Sequence, residues 1–159
     1  LVALAPAQAR DWHRSALQAW RERGDAQAAT ELLMRAFAAN PLDAEITGDL
    51  AWLRLRGQAL QADGARQLAL HALTLPHARH PYGRVDDWTT LAIASALTGR
   101  QRDAGNAWLV AAALTSNFDQ LCRTAGQAYG RHGDRLRPSI DALQGCWRGG
   151  TRVSSDAGR

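Results

Sequence analysis

A chain of 159 residues can form one compact domain or one short solenoid, and it is too short for two ordinary domains. Hydrophobic residues make up 46% of it and charged residues 21%, a balance that excludes a disordered chain. The net charge is +4 and all 19 basic residues are Arg, which excludes a phosphate-binding loop with its lysine and a Schiff-base lysine. Coding bias in a GC-rich genome explains this Arg content more simply than selection for guanidinium chemistry.

The first residues, Leu-Val-Ala-Leu-Ala-Pro-Ala-Gln-Ala, carry no initiator Met and no basic leader. We therefore expect the chain to be part of a larger protein, and we do not interpret its start as a signal peptide. No apolar run approaches the roughly 20 residues that a membrane-spanning helix needs. The compartment is left open between the cytoplasm and the periplasm of a bacterium.

Ala, Leu and Gln are abundant and Val and Ile are scarce, which favours helices because unbranched side chains lose little rotamer freedom there. Helical periodicity predicts eight helices. In chain order they are 7–22, 26–39, 44–56, 63–75, 86–98, 102–114, 119–131 and 136–147. Pro138 is expected at the first position of the last helix, where its missing N–H costs nothing. The sequence thus predicts an all-α domain over 7–147, followed by a tail rich in Arg, Gly and Ser over 148–159.

Three glycines mark the corners of helical hairpins. Gly24, Gly99 and Gly133 each end an apolar-periodic run, and the last two lie 34 residues apart. A glycine closes one helix, and Asp25 or Asp134 after it can cap the next. The chain is therefore expected to turn back on itself at each corner.

Around these corners the same order of large and small residues recurs. In each copy a large or aromatic residue accompanies a small one in the first helix, and small residues recur in the second. The residues are Trp20, Ala29, Leu33, Ala36 and Pro41 in the first copy, Leu50, Ala51, Ala65, Ala69 and Ala72 in the second, Trp88, Leu91, Ala92, Ala104, Trp108 and Ala111 in the third, and Gly126 and Tyr129 in the fourth. With these residues the chain resembles the tetratricopeptide repeat family. The resemblance implies a right-handed α-solenoid of about four antiparallel helical hairpins, in which small residues let the helices approach closely.

The repeats are not evenly spaced. Their starts, at Arg10, Ala44, Val85 and Asp119, are separated by 34, 41 and 34 residues. The additional residues of the second copy fall mostly in 77–86, where Pro and Gly break the periodicity. We expect this segment to interrupt the stack.

Few residues suggest a metal site or a catalytic site. His71, His77 and His80 could bind a metal, but no Cys or carboxylate spacing completes a site, so solvated loop histidines are the favoured interpretation. The adjacent Asp86 and Asp87 do not share a helix face, and a helix N-cap beside the first turn explains them better than acid–base catalysis. We therefore expect no enzyme, no metal and no cofactor.

The two cysteines are too few for a disulfide framework and are not spaced as a zinc site. Cys122 lies on the packing face of its predicted helix, and Cys146 lies on the helix that should pack against it. Both are interpreted as small buried hydrophobic residues. They could also come within disulfide range, and the sequence leaves that alternative open.

The repeat geometry predicts a binding surface, because the first helix of each hairpin lines the inner groove of such a stack. The predicted groove residues are Arg14, Gln18, Arg21, Trp52, Arg56, Thr89, Ile93, Arg123, Gln127 and Arg131. In the family, basic and amide groups at such places can clamp a peptide carboxylate, so the resemblance implies an acidic or C-terminal peptide ligand. The alternative is that these residues form ordinary solvated helix faces.

The leading functional hypothesis is a protein-interaction module, acting as an adaptor or as one domain of a longer chain. Nucleic-acid binding by the Arg-rich surface is the alternative, and it is less favoured because the positive excess is small and no base-reading motif is present. Exposed apolar ends of repeat stacks are usually covered, so we also expect self-association or neighbouring domains.

Overall fold

The computed structural model describes residues 6–56, 61–77 and 79–147, and these contain nine α-helices and no strand. The helices are α1 (Pro6–Arg23), α2 (Ala26–Ala39), α3 (Ala44–Arg56), α4 (Ala62–Thr74), α5 (Val85–Leu97), α6 (Gln101–Leu114), α7 (Phe118–His132), α8 (Arg137–Ile140) and α9 (Gln144–Trp147). The predicted all-α fold is confirmed. The predicted tail, 148–159, lies outside the described residues.

The helices pack as hairpins that stack in chain order. Helix α1 packs on α2, α3 on α4, and α5 on α6. Neighbouring hairpins join through α2 against α3 and α4 against α5, and the first helices α3 and α5 also contact each other. The chain therefore has the architecture of a helical repeat, with the first helices of consecutive hairpins side by side.

The three predicted corners are confirmed, since Gly24, Gly99 and Gly133 have φ values of +60°, +83° and +67°. This left-handed backbone is one that glycine adopts without steric cost. The Asp25 carboxylate caps α2 by accepting a hydrogen bond from the backbone N–H of Ala28 at 3.0 Å.

Asp134 does not cap the last helix as predicted. The chain passes through a 3₁₀ turn, Gly133–Arg135, before α8 begins. The Asp134 side chain lies in that turn and accepts a hydrogen bond from the hydroxyl of Tyr129 at 3.2 Å. The capping prediction was wrong because it assumed that a second helix follows the corner directly.

Small residues occupy the places where helices approach most closely. Ala19, Ala29, Ala51, Ala92 and Ala104 are all fully buried. They belong to two continuous clusters of buried side chains, one formed by α1, α2 and α3 and the other by α3 and the helices after it. A larger side chain at such a position would have to displace the facing helix.

The segment between α4 and α5 does not interrupt the stack, contrary to expectation. Helix α4 packs on α5, and α3 also contacts α5. The linker folds back onto the hairpins, and the indole Nε1 of Trp88 donates a hydrogen bond to the carbonyl oxygen of Tyr82 at 2.8 Å. The additional residues are therefore accommodated at the edge of the stack and do not separate its layers.

The last predicted helix, 136–147, is divided into two short helices. Helix α8 begins at Arg137, with Pro138 in its first turn, and ends at Ile140. There the backbone changes to the tighter pattern in which Leu143 N–H donates to the Ile140 carbonyl at 2.8 Å. The turn brings Leu143 and Cys146 into the core, where both are buried. The fourth hairpin therefore ends in a compact cap, 137–147, in place of a full second helix.

In the described ranges no helix is both long enough and apolar enough to cross a membrane.

Replacing Ala104 by Leu should lower the free energy of unfolding by about 1–3 kcal/mol, because the added atoms have no space between α6 and its neighbours. Denaturant titration monitored by circular dichroism measures this change. Ala38→Leu is the control, since Ala38 is exposed on α2 and should change stability by less than about 0.5 kcal/mol. Equal stabilities of the Ala104 variant and the wild type would contradict the packing described above.

Candidate functional site

A buried group of charged side chains joins three of the first helices. The guanidinium of Arg84, just before α5, lies 3.1 Å from Asp49 Oδ1 of α3 and 3.0 Å from Asp87 Oδ1 of α5. The other oxygen of Asp49 lies 2.7 Å from Nε2 of His13 on α1. We call these four residues the Arg84 network. It ties α1, α3 and α5 together on the side where the first helices meet.

The network keeps its charges although it is largely buried. Burial by itself lowers the pKa of Arg84, but the hydrogen bonds and negative charges of Asp87 and Asp49 outweigh that effect and raise the pKa. Burial likewise raises the pKa of Asp49, yet its hydrogen bond with His13 and the charge of Arg84 bring the pKa below the ordinary 3.8. At neutral pH, Arg84 and Asp49 therefore form an ion pair.

Gly48 makes room for this network in the interior of α3. A Cβ atom there would collide with the Asp87 carboxylate and with an Arg84 guanidinium nitrogen. An alanine at this position would therefore force these paired side chains to shift. Glycine inside a helix is otherwise unfavourable, by about 1 kcal/mol relative to alanine.

A large open cavity lies beside the network. Its volume is about 520 Å³, within the usual range for a ligand site. One wall is the linker before α5 together with α5 itself, and the other is the loop between α6 and α7 together with the start of α7. The lining residues are Arg79, His80, Pro81, Tyr82, Gly83, Arg84, Val85, Asp86, Thr89, Leu114, Thr115, Ser116, Asn117, Gln120, Leu121 and Thr124.

A second, much smaller cavity of about 10 Å³ lies among α3, α5 and α7. Thr124 lines both cavities, so the two are neighbours along α7. We call the two together the inner groove. The lining residues of the small cavity are Trp52, Leu55, Arg56, Ile93, Thr124, Gln127, Ala128, Arg131 and His132.

Five of the ten predicted groove residues come together at the small cavity. They are Trp52, Arg56, Ile93, Gln127 and Arg131, drawn from three different helices. The guanidinium carbon of Arg56 lies 4.3 Å from the centre of the Trp52 ring, so the indole face supports the cation. Burial lowers the pKa of Arg56, and the nearby positive charge of Arg131 lowers it further.

The predicted residues of α1 do not line either cavity. Arg14 is exposed and lies 3.5 Å from Asp11 on its own helix, and the Gln18 amide donates a hydrogen bond to Glu22 at 3.3 Å. Arg21 is exposed at the end of the same helix. These three residues lie among carboxylates of α1, as the solvated-face interpretation expects.

Two other predictions differ from the structure in detail. Thr89 and Ile93 were expected on an exposed stripe, but they are only 1% and 5% exposed because α5 is central in the stack and covered by its neighbours. Arg123 is exposed and donates a hydrogen bond to Gln120, and it does not line the inner groove. The α7 residues that line the inner groove are Gln120, Leu121, Thr124, Gln127, Ala128, Arg131 and His132.

Sequence reasoning missed the Arg84 network and the linker wall. A glycine inside a predicted helix, Gly48, was the available signal for a close approach, but nothing in the local pattern indicates which side chain approaches it. The predicted α7 stripe begins at Arg123, whereas the residues that line the inner groove begin at Gln120. Arg123 therefore lies on the neighbouring face of the helix.

His80 is exposed, as expected for a solvated loop histidine, whereas His77 and His71 have other environments. His77 is not a solvated loop residue: its side chain is only 8% exposed and lies 3.6 Å from Glu45 Oε1. His71 donates to the carbonyl oxygen of Pro41 at 2.9 Å. In the part of the chain that the structure describes, no three His, Cys, Asp or Glu side chains are close enough to hold a metal ion.

Comparison with solved structures relates this fold to a known one. The chain is similar to "Crystal structure of MamA", with a TM-score of 0.59 and 14% identity, over 90% of this chain and 82% of that one. It is also similar to "MamA MSR-1 C2", with a TM-score of 0.56 and 18% identity, over 86% of this chain and 77% of that one. The fold is therefore like that of MamA, a protein containing tetratricopeptide repeats. No protein-family model and no curated protein sequence matches the chain.

Replacing Gly48 by Ala should destabilise the protein by about 1–3 kcal/mol, because the new methyl group collides with the Arg84 network. Gly130→Ala on α7 is the matched control, since a Cβ there has no neighbour within 4 Å. Better helix propensity should make that variant more stable by about 0.5–1 kcal/mol. Denaturant titration of both variants measures the difference, and a stabilised Gly48 variant would contradict the network.

Asp49 should support stability at neutral pH and lose this role in acid. Because its pKa is lowered on folding, its contribution is present above the ordinary value of 3.8 and disappears as the pH falls through the folded-state value. The difference in unfolding free energy between the wild type and Asp49→Asn should therefore shrink below pH 3.8. Asp11→Asn, which alters an exposed ion pair, should show a much smaller difference at every pH.

Proposed function

We propose that the chain is a protein-interaction module that binds a segment of a partner protein in the inner groove and catalyses no reaction itself. The support is a repeat fold like that of MamA together with a cavity of ligand size between α5 and α7. The lining of the large cavity combines amide and hydroxyl groups, from Asn117, Gln120 and Thr124, with apolar side chains. Such a surface can accept the backbone and the side chains of an extended peptide.

The pair of arginines at the end of the groove is the observation that indicates which class of ligand binds. Arg56 and Arg131 line the same small cavity. The two side chains are close enough that, in addition to burial, the positive charge of Arg131 lowers the pKa of Arg56. Asp86 offsets this repulsion in part. A carboxylate placed between the two guanidiniums would relieve the repulsion and form charge-assisted hydrogen bonds. The proposed ligand is therefore an acidic peptide segment or a peptide C-terminus.

Arg131→Glu should weaken binding of an acidic peptide at least tenfold, since one charge-assisted hydrogen bond contributes about 1.5–3 kcal/mol. The measurement is fluorescence polarisation with a labelled peptide that ends in Asp and Glu residues and a free carboxylate. Arg123→Glu is the matched control, because it makes the same charge change on the same helix outside the groove. Circular dichroism should be unchanged in both variants.

Equal losses in the two variants would mean that only the general charge matters, and the groove would not be the binding site. A labelled single-stranded oligonucleotide serves as the second probe. Binding that is stronger for the oligonucleotide than for the peptide, with a steep dependence on salt, would favour the nucleic-acid alternative.

Self-association or neighbouring domains remain predicted, and the polarity of the two ends of the stack does not distinguish them. The outer face of α1 is polar, with Arg10, Asp11, Arg14 and Ser15 exposed. A polar outer face is typical of a terminal repeat in contact with water. The exposed residues of α7 and the cap, such as Arg123, Arg131 and Asp141, are also polar, so the structure favours neither end as the contact with a further copy or domain.

A further inference from the structure

The fourth hairpin differs from the others in how its first helix is held. In the first three hairpins two long helices pack along each other. Among the described residues, helix α7 has no such partner, because the chain directly after it forms the 3₁₀ turn and the short helices α8 and α9. The cap itself is firmly placed: α8 packs on α6, and Leu136 and Ile140 are buried there.

A disulfide joins α7 to this cap. Cys122 of α7 and Cys146 of α9 are bonded, with Cα atoms 5.4 Å apart, and both side chains are buried. A second contact lies nearby, where Gly145 passes so close to Phe118 that a Cβ would be 3.1 Å from its ring. The close approach of α9 to the start of α7 thus brings the two sulfurs together.

The disulfide lies on a helix whose other side forms the groove. Gln120, Thr124, Gln127 and Arg131 of α7 line the inner groove, and Cys122 is on the buried side that faces the cap. Helix α6 approaches α7 at few positions, whereas it packs extensively on α8. The attachment of this groove wall to the stack therefore passes in part through the cap and its covalent link.

We propose that the Cys122–Cys146 disulfide is a redox-dependent lock that fixes α7 against the cap. The lock is closed when the two cysteines form the disulfide. In this step the two cysteine thiols lose two protons and two electrons to an external disulfide compound, such as oxidised glutathione or a disulfide-bearing oxidoreductase. That compound is thereby reduced to two thiols. The lock is closed in an oxidising compartment and open in a reducing one. Its effect on ligand binding rests on the proposed function, because α7 is one wall of the inner groove.

The test compares the full chain after treatment with oxidised glutathione and after treatment with a phosphine reductant. Thiols are counted with a maleimide reagent under denaturing conditions, and hydrogen exchange is followed by mass spectrometry. We expect no free thiol in the oxidised protein. Reduction should lower Tm by about 5–15 °C and speed amide exchange in 118–132, with little change in α2, which serves as the internal control.

The matched variant is Cys122→Ala with Cys146→Ala, which keeps both positions small and apolar. It should behave like the reduced wild type and should not respond to the reductant. If this variant does not fold, the comparison of the two redox states of the wild type still shows whether the disulfide fixes α7. Two free thiols after oxidation would overturn the lock and leave the cysteines as buried hydrophobic residues. Identical Tm and exchange in both states, or loss of protection in α2 together with α7, would also overturn the lock.

Peptide binding is measured in the same two states with the labelled acidic peptide. Weaker binding after reduction is expected, by about tenfold if the α7 wall is displaced from the Arg56 side of the groove. Absence of binding in both states would overturn the proposed function, whereas the lock would still be judged by thiol count and exchange. Equal binding in both states, with increased exchange in α7, would overturn the effect of the lock on the groove.

Discussion

The ion pairs of the largely buried Arg84 side chain constrain the relative positions of α1, α3 and α5. Its guanidinium is paired with one carboxylate from α3 and one from α5, and Asp49 also binds His13 of α1. A charge removed from water is tolerated only when it is paired and hydrogen-bonded, so each of these side chains requires the others in place. Gly48 completes the arrangement by leaving the space that the Asp87 carboxylate and the Arg84 guanidinium occupy.

The same interaction shapes the groove, because Arg84 ends the linker that forms one wall of the large cavity. The opposite wall, α7, lies outside the network; it packs in the core and is attached in part through the cap and the Cys122–Cys146 disulfide. We therefore expect loss of carboxylate charge in acid to act on the first wall and reduction of the disulfide to act on the second.

The fold and the groove place different demands on the sequence. Helix packing needs small residues at the contacts, as at Ala92 and Ala104, and many sequences satisfy that demand. This explains how chains only 14–18% identical can share the fold. The groove instead depends on particular side chains, such as Arg56 stacked on Trp52 and Arg131 beside it. A shared fold therefore does not determine what the chain binds.

The sequence alone determined the helices, the corners and the hairpin order, because helical periodicity and corner glycines such as Gly24 are local signals. It also predicted residues that line the small cavity, including Arg56 and Arg131, because the repeat pattern indicates which helices face inward. Their role in binding stays a prediction. Only the tertiary structure decided the rest. The pairing of Arg84 with Asp49, the bond between Cys122 and Cys146 and the broken last helix all depend on distances between segments far apart in the chain. Local propensities do not encode such distances, which are set when the hairpins pack.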